Sequence, residues 1–305
     1  MLFKILRSTL LTFCLIAGSV GSAYAEDSIS PTQVNHLNIV FSVTDADEVH
    51  EFYGGILGLE RIANIPFPDN QYMIRYMAGA TELKFIVTGQ DLAKGPKGAG
   101  SALGIRLLAL LLPLKEQDGI LKRLKEAGRE VPEMTIRRTP EGVFRYAFGM
   151  VYDGDDNQVE IVFLDEKTPR EVFQQVQFGL SVSDHAPMDD FLTRVLQYKP
   201  VVTNDRIHRY EMGRTQIKFW EVPADVPAWN GGPAELIGMN LVQAIVPDVD
   251  AVRATVLARG GKIHTEPFAL GTLATIMFVE GPDGILFEFA GPLLERLKKE
   301  KQSIF

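Results

Sequence analysis

Short segments in which apolar and polar residues alternate recur along the chain and predict β-strands. The segment "HLNIVFSV" (36–43) places Leu37, Ile39, Phe41 and Val43 on one face. Because successive strand side chains point to opposite faces, its other residues face away from this apolar set. The same alternation occurs in "QFGLSV" (177–182), "TELKFIV" (81–87) and "TQIKFW" (215–220). The polar residues on the opposite faces are His36, Asn38, Lys84, Gln177 and Lys218.

Helical patterns separate these strands. The segments "GILKRLKEAGREV" (119–131) and "DAVRATVLARGGKI" (250–263) are amphipathic and contain glycine near their ends, as is common where a helix terminates. The apolar run "LLALLLPL" (107–114) is too short to cross a bilayer and predicts a buried strand. Two late strands carry Glu160 and Glu288 on the polar side of their alternation. The chain therefore predicts four modules, each a strand, a helix and further strands.

An internal repeat organises these modules into two halves. "RYMAGATELKF" (75–85) and "RYEMGRTQIKF" (209–219) agree without a gap at Arg, Tyr, Gly, Thr, Lys and Phe, and their flanking segments correspond as well. Self-similarity of this kind indicates a duplicated structural unit. We predict two tandem domains, 26–164 and 175–292, joined by a linker at 165–174 and followed by a tail helix at 293–305.

The first 25 residues have the layout of a secretory signal. Lys4 and Arg7 precede the apolar stretch 10–18, and the small-residue motif "AYA" ends at Ala25. This order of charge, apolar core and small residues is typical of a cleaved signal peptide. We therefore expect an exported protein, periplasmic or extracellular, without stable membrane association after cleavage.

Charge and cysteine content exclude several functions. Without Lys4 and Arg7 the chain has 29 basic and 39 acidic residues, and no basic stripe that would favour nucleic acid. The only cysteine, Cys14, lies within the predicted signal. The mature chain would therefore have neither disulfides nor a cysteine nucleophile or metal ligand.

The segments "VTDADEVHEFYGGILGL" (43–59), "DGDDNQVE" (153–160) and "EGPDGILFE" (280–288) resemble the vicinal oxygen chelate superfamily of glyoxalase, bleomycin-resistance and extradiol-dioxygenase proteins. The resemblance covers nearly the whole mature chain. It implies an α+β fold of four βαβββ modules, paired into half-barrels with helices on the convex face and ligand in the concave one. Modules one and two could share a half-barrel, as could three and four, or the pairs could be crossed.

The resemblance also implies where a divalent metal would bind in this fold: at His, Gln or Glu residues on the first and last strands of each module. The corresponding positions here are Asn38, Lys84, Leu107, Glu160, Gln177, Lys218, Leu241 and Glu288. A lysine ammonium repels a cation and donates where a metal needs a lone pair. We therefore expect no cofactor. If a divalent metal does bind, the expected ligands are His36, Glu160, Gln177 and Glu288.

Two functions remain open on the sequence. The first is an exported protein that binds a small organic molecule through Asn38, Lys84, Gln177, Lys218 and Gln243, with Glu160 and Glu288 among the polar groups that orient it. The second is an enzyme of the superfamily, a glyoxalase-like lyase or isomerase or a ring-cleaving dioxygenase. In that case Glu160 or Glu288 would be the catalytic proton acceptor, and a lysine would stabilise an oxyanion.

Overall fold

The computed structural model describes residues 30–67, 72–88, 90–138, 140–173, 175–201, 204–223, 225–232 and 235–294. The predicted signal segment and almost all of the predicted tail helix lie outside these residues. Among the described residues, no helix is long and apolar enough to span a membrane.

The elements follow one order in every module. The first module contains β1 (Asn38–Val43), α1 (Ala46–Val49, continued by a π-helix, His50–Ile56), β2 (Glu60–Pro66), β3 (Tyr72–Ala78) and β4 (Thr81–Val87). After β5 (Ala93–Lys94), the second contains β6 (Gly104–Pro113), a 3-10 turn (Leu114–Glu116), α2 (Gln117–Glu126), β7 (Thr135–Arg138), β8 (Phe144–Tyr152) and β9 (Gln158–Leu164).

The short helix α3 (Arg170–Phe173) connects to the second half of the chain. The third module contains β10 (Val176–Val182), α4 (His185–Asp190, continued by a π-helix, Phe191–Val195), β11 (Lys199–Pro200), β12 (His208–Met212) and β13 (Thr215–Glu221). The fourth contains β14 (Leu236–Ile245), α5 (Val249–Ala258), β15 (Lys262–Leu270), β16 (Ala274–Glu280), a 3-10 turn (Pro282–Gly284) and β17 (Leu286–Gly291).

Two mixed sheets are formed by crossed pairs of modules. The nine-stranded sheet has the order β15-β16-β17-β14-β1-β4-β3-β2, with β5 also pairing with β14, and so joins modules one and four. The eight-stranded sheet has the order β11-β12-β13-β10-β6-β9-β8-β7 and joins modules two and three. The predicted α+β class with tandem glyoxalase-like units is confirmed. The ranges 26–164 and 175–292 describe the sequence repeat, whereas each sheet takes one module from each half.

An aspartate turns each of three first strands into its helix. Asp45, Asp184 and Asp248 have extended backbones, and their carboxylates accept backbone N–H groups of the first helical turn. Asp, Asn, Ser and Thr are favoured at this position because the first N–H groups of a helix have no partner within it. The repeated aspartate in the sequence is therefore a helix cap.

Strand alternation separates two layers of side chains, as predicted. Residues such as Leu37, Phe85, Phe178 and Phe219 are fully buried in one continuous core together with the helices. On the other face of the nine-stranded sheet, a smaller cluster consists of Val40, Leu241 and Leu286, with Ile86 and Phe278 packed against it. The predicted buried strand at 107–114 is β6, which lies at the centre of its sheet and whose leucines from 107 to 111 are buried on both faces.

The repeated eleven-residue segments form the same structure in both sheets. Each is a hairpin of two antiparallel strands, β3–β4 and β12–β13, as the repeat predicted. Gly79 and Gly213 occupy the two turns with φ of 61° and 55°, a left-handed conformation in which a Cβ is strained. Gly213 also lies against the backbone carbonyl of Asn35, which would collide with a Cβ. This turn therefore fixes the chain leading into β1 against the other sheet.

We expect Gly213→Ala to lower the free energy of unfolding by about 3 kcal/mol, since the left-handed backbone and the overpacking against Asn35 each contribute. Gly271→Ala is a matched control, because Gly271 has a φ of 57° and an added Cβ would meet no neighbouring atom within 4 Å. The control should lose only about 1 kcal/mol. Urea denaturation measures both, and equal losses would contradict the contact with Asn35.

Candidate functional site

The concave face of the nine-stranded sheet, which we call the first cup, encloses a cavity of about 730 Å³. Its walls are mainly apolar, and its polar groups converge on the central strands. The lining residues are Val40, Ile65, Phe67, Met73, Lys84, Ile86, Thr88, Gln90, Leu241, Gln243, Ile245, Phe268, Leu270, Leu273, Ala274, Ile276, Phe278, Glu288 and Ala290. An apolar cavity with a few converging polar groups is the usual form of a small-molecule site.

Strand register brings these polar groups together. The first strands β1 and β14 pair antiparallel with Asn38 opposite Gln243. The last strands flank them in parallel, so that Lys84 lies beside Val40 and Glu288 lies beside Gln243. Because residues two apart on a strand share a face, Asn38, Lys84, Gln243 and Glu288 all face the cup.

A hydrogen-bonded chain connects the four residues. The Lys84 Nζ donates to Gln243 Oε1 at 2.6 Å, and Gln243 Nε2 donates to Glu288 Oε1 at 2.9 Å. Asn38 Nδ2 donates to Gln243 Oε1 at 3.3 Å, while Asn38 Oδ1 accepts the backbone N–H of Glu82 at 2.9 Å. Since an ammonium can only donate, it fixes the orientation of the Gln243 amide and turns Nε2 toward Glu288.

Burial shifts the pKa of both ionisable residues in this hydrogen-bonded chain. Lys84 and Glu288 are each only 6% exposed. Burial lowers the pKa of the Lys84 ammonium, and the nearby carboxylates of Glu82 and Glu288 oppose that shift. Burial raises the pKa of the Glu288 carboxyl, against the Gln243 hydrogen bond and the charge of Lys84. The floor of the first cup therefore shifts the Glu288 carboxyl group toward its protonated form.

The concave face of the eight-stranded sheet, the second cup, has a different arrangement at the equivalent positions. Lys218 forms a direct ion pair with Glu160, and both side chains are largely buried. Ala109 lies beside Glu160 and opposite Gln177. In the first cup the position of Ala109 is occupied by Gln243, which lies beside Glu288 and opposite Asn38. Because alanine cannot bridge the two charges, the lysine reaches the glutamate itself.

An indole ring covers the centre of the second cup. A Cβ added to Gly179 would lie 2.8 Å from the Trp220 ring and 2.7 Å from Leu107 Cβ, so the ring lies directly over β10. By strand register, Val40 of the first cup corresponds to Gly179 of the second, and Ile86 corresponds to Trp220. The first cup therefore has the shorter Ile86 in place of the indole ring, and Val40 in place of the glycine over which that ring lies.

The two lysines have different carboxylate partners. Both lie on the cavity side of their strands, as the alternation predicts, and Lys218 reaches Glu160 on the last strand of module two. Lys84 instead reaches Glu288 only through Gln243, and its nearest carboxylate is Glu82 on its own strand, at 3.6 Å. The cause is the long amide side chain that occupies the position between the two charges.

Two residues near these charges were missed from the sequence, although alternation could have identified them. Glu82 precedes Lys84 by two residues and Trp220 follows Lys218 by two, so each shares the face of its lysine. Neither occupies a position that corresponds to a metal ligand in this fold.

The donors in neither cup fit the divalent metal that the resemblance implies. The four residues expected as ligands if a metal binds do not lie in one cup. His36 and Glu288 belong to the first and fourth modules, whereas Glu160 and Gln177 belong to the second cup. His36 lines a separate, more open groove with Lys199 and Glu211. In each cup a lysine lies where a ligand would be needed, and among the described residues no group of three or more His, Cys, Asp or Glu side chains could hold a metal.

The paired βαβββ modules and their concave cups are the fold expected of the vicinal oxygen chelate superfamily. The family model of the Glyoxalase/Bleomycin resistance protein/Dioxygenase superfamily matches residues 174–289. The resemblance drawn from the sequence is confirmed by the family model for residues 174–289, and both halves of the chain share the fold of tandem glyoxalase-like proteins.

Two solved structures illustrate the similarity of fold. Glyoxalase I from Zea mays is 17% identical with a TM-score of 0.63, covering 84% of this chain and 91% of its own. A putative dioxygenase from Bacillus subtilis subsp. subtilis str. 168 is 16% identical with a TM-score of 0.61, covering 86% of each chain. No curated protein matches the chain. At these identities the likeness is one of fold, and function has to be argued from the cups.

We expect Lys218→Met to lower the free energy of unfolding by about 3 kcal/mol, because it leaves the Glu160 carboxylate buried without its partner. Adding Glu160→Gln should recover most of that loss. The control Lys122→Met breaks an exposed pair with Glu126 and should cost no more than about 0.5 kcal/mol. Urea denaturation of the unsubstituted protein, Lys218→Met, Glu160→Gln, the double variant and the control measures the coupling, and additive losses from the two single substitutions would contradict the buried pair.

The raised pKa of Glu288 predicts a pH dependence of stability. The folded state retains this proton to higher pH than the unfolded chain, so its contribution is complete below the ordinary glutamate pKa of 4.5 and is lost as pH rises through the folded value. Glu288→Gln keeps a polar group there and cannot ionise. We expect the stability of the variant, relative to the unsubstituted protein, to increase as pH rises above about 4.5. Urea denaturation across pH measures this difference, and a constant difference would contradict the assignment.

Proposed function

We propose that this protein binds one small, mainly apolar organic molecule in the first cup, without the divalent metal of its metal-using relatives. We also propose that it does so outside the cytoplasm, on the evidence of the signal-like N-terminus. Binding depends on shape and on the Lys84–Gln243–Glu288 chain, with Asn38 holding the amide from the side.

The observation that carries this proposal is the difference between the two cups. The first has a cavity of about 730 Å³, within the range of ordinary ligand pockets. The second has Trp220 across its centre and a lysine already neutralised by Glu160. A duplicated fold with one open cup supports one ligand per chain.

A second candidate function is catalysis in the same cup, as a lyase, isomerase or dioxygenase of the superfamily. Glu288 favours it, because a buried carboxyl group with a raised pKa that lines a cavity can exchange a proton with a bound molecule. Lys84 would then stabilise the developing oxyanion. Glu160 is the weaker candidate for this role, since Lys218 pairs with it directly. Glyoxalase I and the putative dioxygenase support the enzyme class only through their fold.

A neutral fluorescent probe, N-phenyl-1-naphthylamine, tests which cup is open. We expect a fluorescence titration to give one site per chain. The double substitution Val40→Gly and Ile86→Trp rebuilds in the first cup the pair that closes the second, and should weaken binding by at least about tenfold, equivalent to roughly 1.4 kcal/mol.

Trp220→Phe is the control, because it changes the wall of the second cup and should leave the first site intact. Circular dichroism establishes that each variant is folded. Two sites in the unsubstituted protein, or undiminished binding by the folded double variant, would contradict the proposal.

A further inference from the structure

Among the described residues that line the first cup, only Lys84 and Glu288 are ionisable. The rest of this lining is apolar apart from Gln243, Thr88 and Gln90. One of these two groups must interact with the ligand, and the group that is free to do so determines which ligand charge the cup prefers.

Glu288 is already engaged within the floor. Its Oε1 accepts the Gln243 Nε2 hydrogen bond at 2.9 Å, and the side chain is buried between the last and first strands of module four. A cationic ligand would therefore meet a carboxyl group that already accepts a hydrogen bond from Gln243, next to the positive charge of Lys84.

Lys84 retains donor capacity. An ammonium has three N–H donors, and among the described residues only Gln243 Oε1 accepts a hydrogen bond from it within ordinary distance. The Glu82 carboxylate is 3.6 Å away and is also bonded by Arg75 at 3.0 Å. The Gln243 oxygen is fully used, since it accepts from Lys84 and Asn38, while the nitrogen donates one of its two N–H groups to Glu288.

An acceptor beside Lys84 would complete this arrangement. Burial disfavours the charged ammonium, and an anion brought next to it would restore the interaction lost with water. Charge-assisted hydrogen bonds in such surroundings are among the stronger polar contacts in proteins. The single cation matches one negative charge, which favours a carboxylate over a doubly charged phosphate.

We infer that the ligand of the first cup is an apolar organic monoanion, a carboxylate whose oxygens accept hydrogen bonds from Lys84 while its hydrocarbon part fills the cavity. This inference rests on the proposed function of the first cup and specifies its ligand class. Lys218 has no equivalent role, because Glu160 provides its counter-charge and Trp220 covers the second cup.

Three probes with the same hydrocarbon body test the inference: 4-phenylbutyrate, 4-phenylbutanol and 4-phenylbutylamine. Calorimetric titration of the whole mature protein at neutral pH should give the carboxylate the lowest Kd, about tenfold or more below that of the alcohol, with the amine weakest. Phenylbutyl phosphate, tested in parallel, should bind less tightly than the carboxylate.

Lys84→Met should reduce the preference for carboxylate over alcohol to less than about threefold. Lys84→Arg, which keeps the charge, should retain part of it. Lys262→Met is the control, because this lysine is exposed on β15 of the same sheet and pairs with Glu280. It should leave the preference unchanged. The comparison of the probes on the unsubstituted protein does not depend on any variant folding.

The outcomes separate the two proposals. Equal binding of carboxylate, alcohol and amine would overturn the anionic ligand and leave binding in the first cup standing. Tightest binding of the amine, or of the phosphate, would also overturn the ligand class. If none of the probes binds while N-phenyl-1-naphthylamine does, the carboxylate inference fails alone; if neither kind of probe binds, the proposed function fails with it.

Discussion

The antiparallel pairing of first strands from different halves of the chain determines the rest of the structure. β1 pairs with β14 and β10 pairs with β6, and each pair is the centre of its sheet. The last strand of each module then lies parallel to its own first strand, so every cup has two first strands flanked by two last strands. Lys84 and Glu288, or Lys218 and Glu160, share one cup floor only because modules from opposite halves share a sheet.

A few side chains make the two cups chemically different. Gln243 separates Lys84 from Glu288, whereas Ala109 lets Lys218 pair directly with Glu160. An unbridged buried pair satisfies both charges internally. Where Gln243 bridges the pair, Lys84 keeps N–H groups that can still donate to a ligand. Together with Val40 and Ile86 in place of Gly179 and Trp220, this difference explains why one cup is open and polar at its floor.

Much of the fold could be predicted from local patterns. Alternation identified the buried and cavity-facing sides of the strands, and the duplicated hairpins predicted tandem units, because both depend on residues close together in the chain. The pairing of modules could not be derived, since a fourfold repeat of βαβββ units is compatible with either arrangement. The partner of Lys84 required the register between β1 and β14, which is shifted by an irregularity between Val40 and Phe41. Which cup is open depended on Trp220, whose position over Gly179 is a contact between strands rather than a local pattern.

Our central claim is the proposal that the first cup works without a metal, because it rests on lysines at positions where metal-using vicinal oxygen chelate proteins have ligands. Elemental analysis tests it most directly. The purified mature protein is incubated with an excess of manganese, iron, nickel or zinc, desalted, and measured by inductively coupled plasma mass spectrometry beside its Glu288→Gln variant. Our account predicts well below one metal per chain, with no difference between the two proteins. One equivalent of a divalent metal that is retained by the unsubstituted protein and lost in the variant would contradict it.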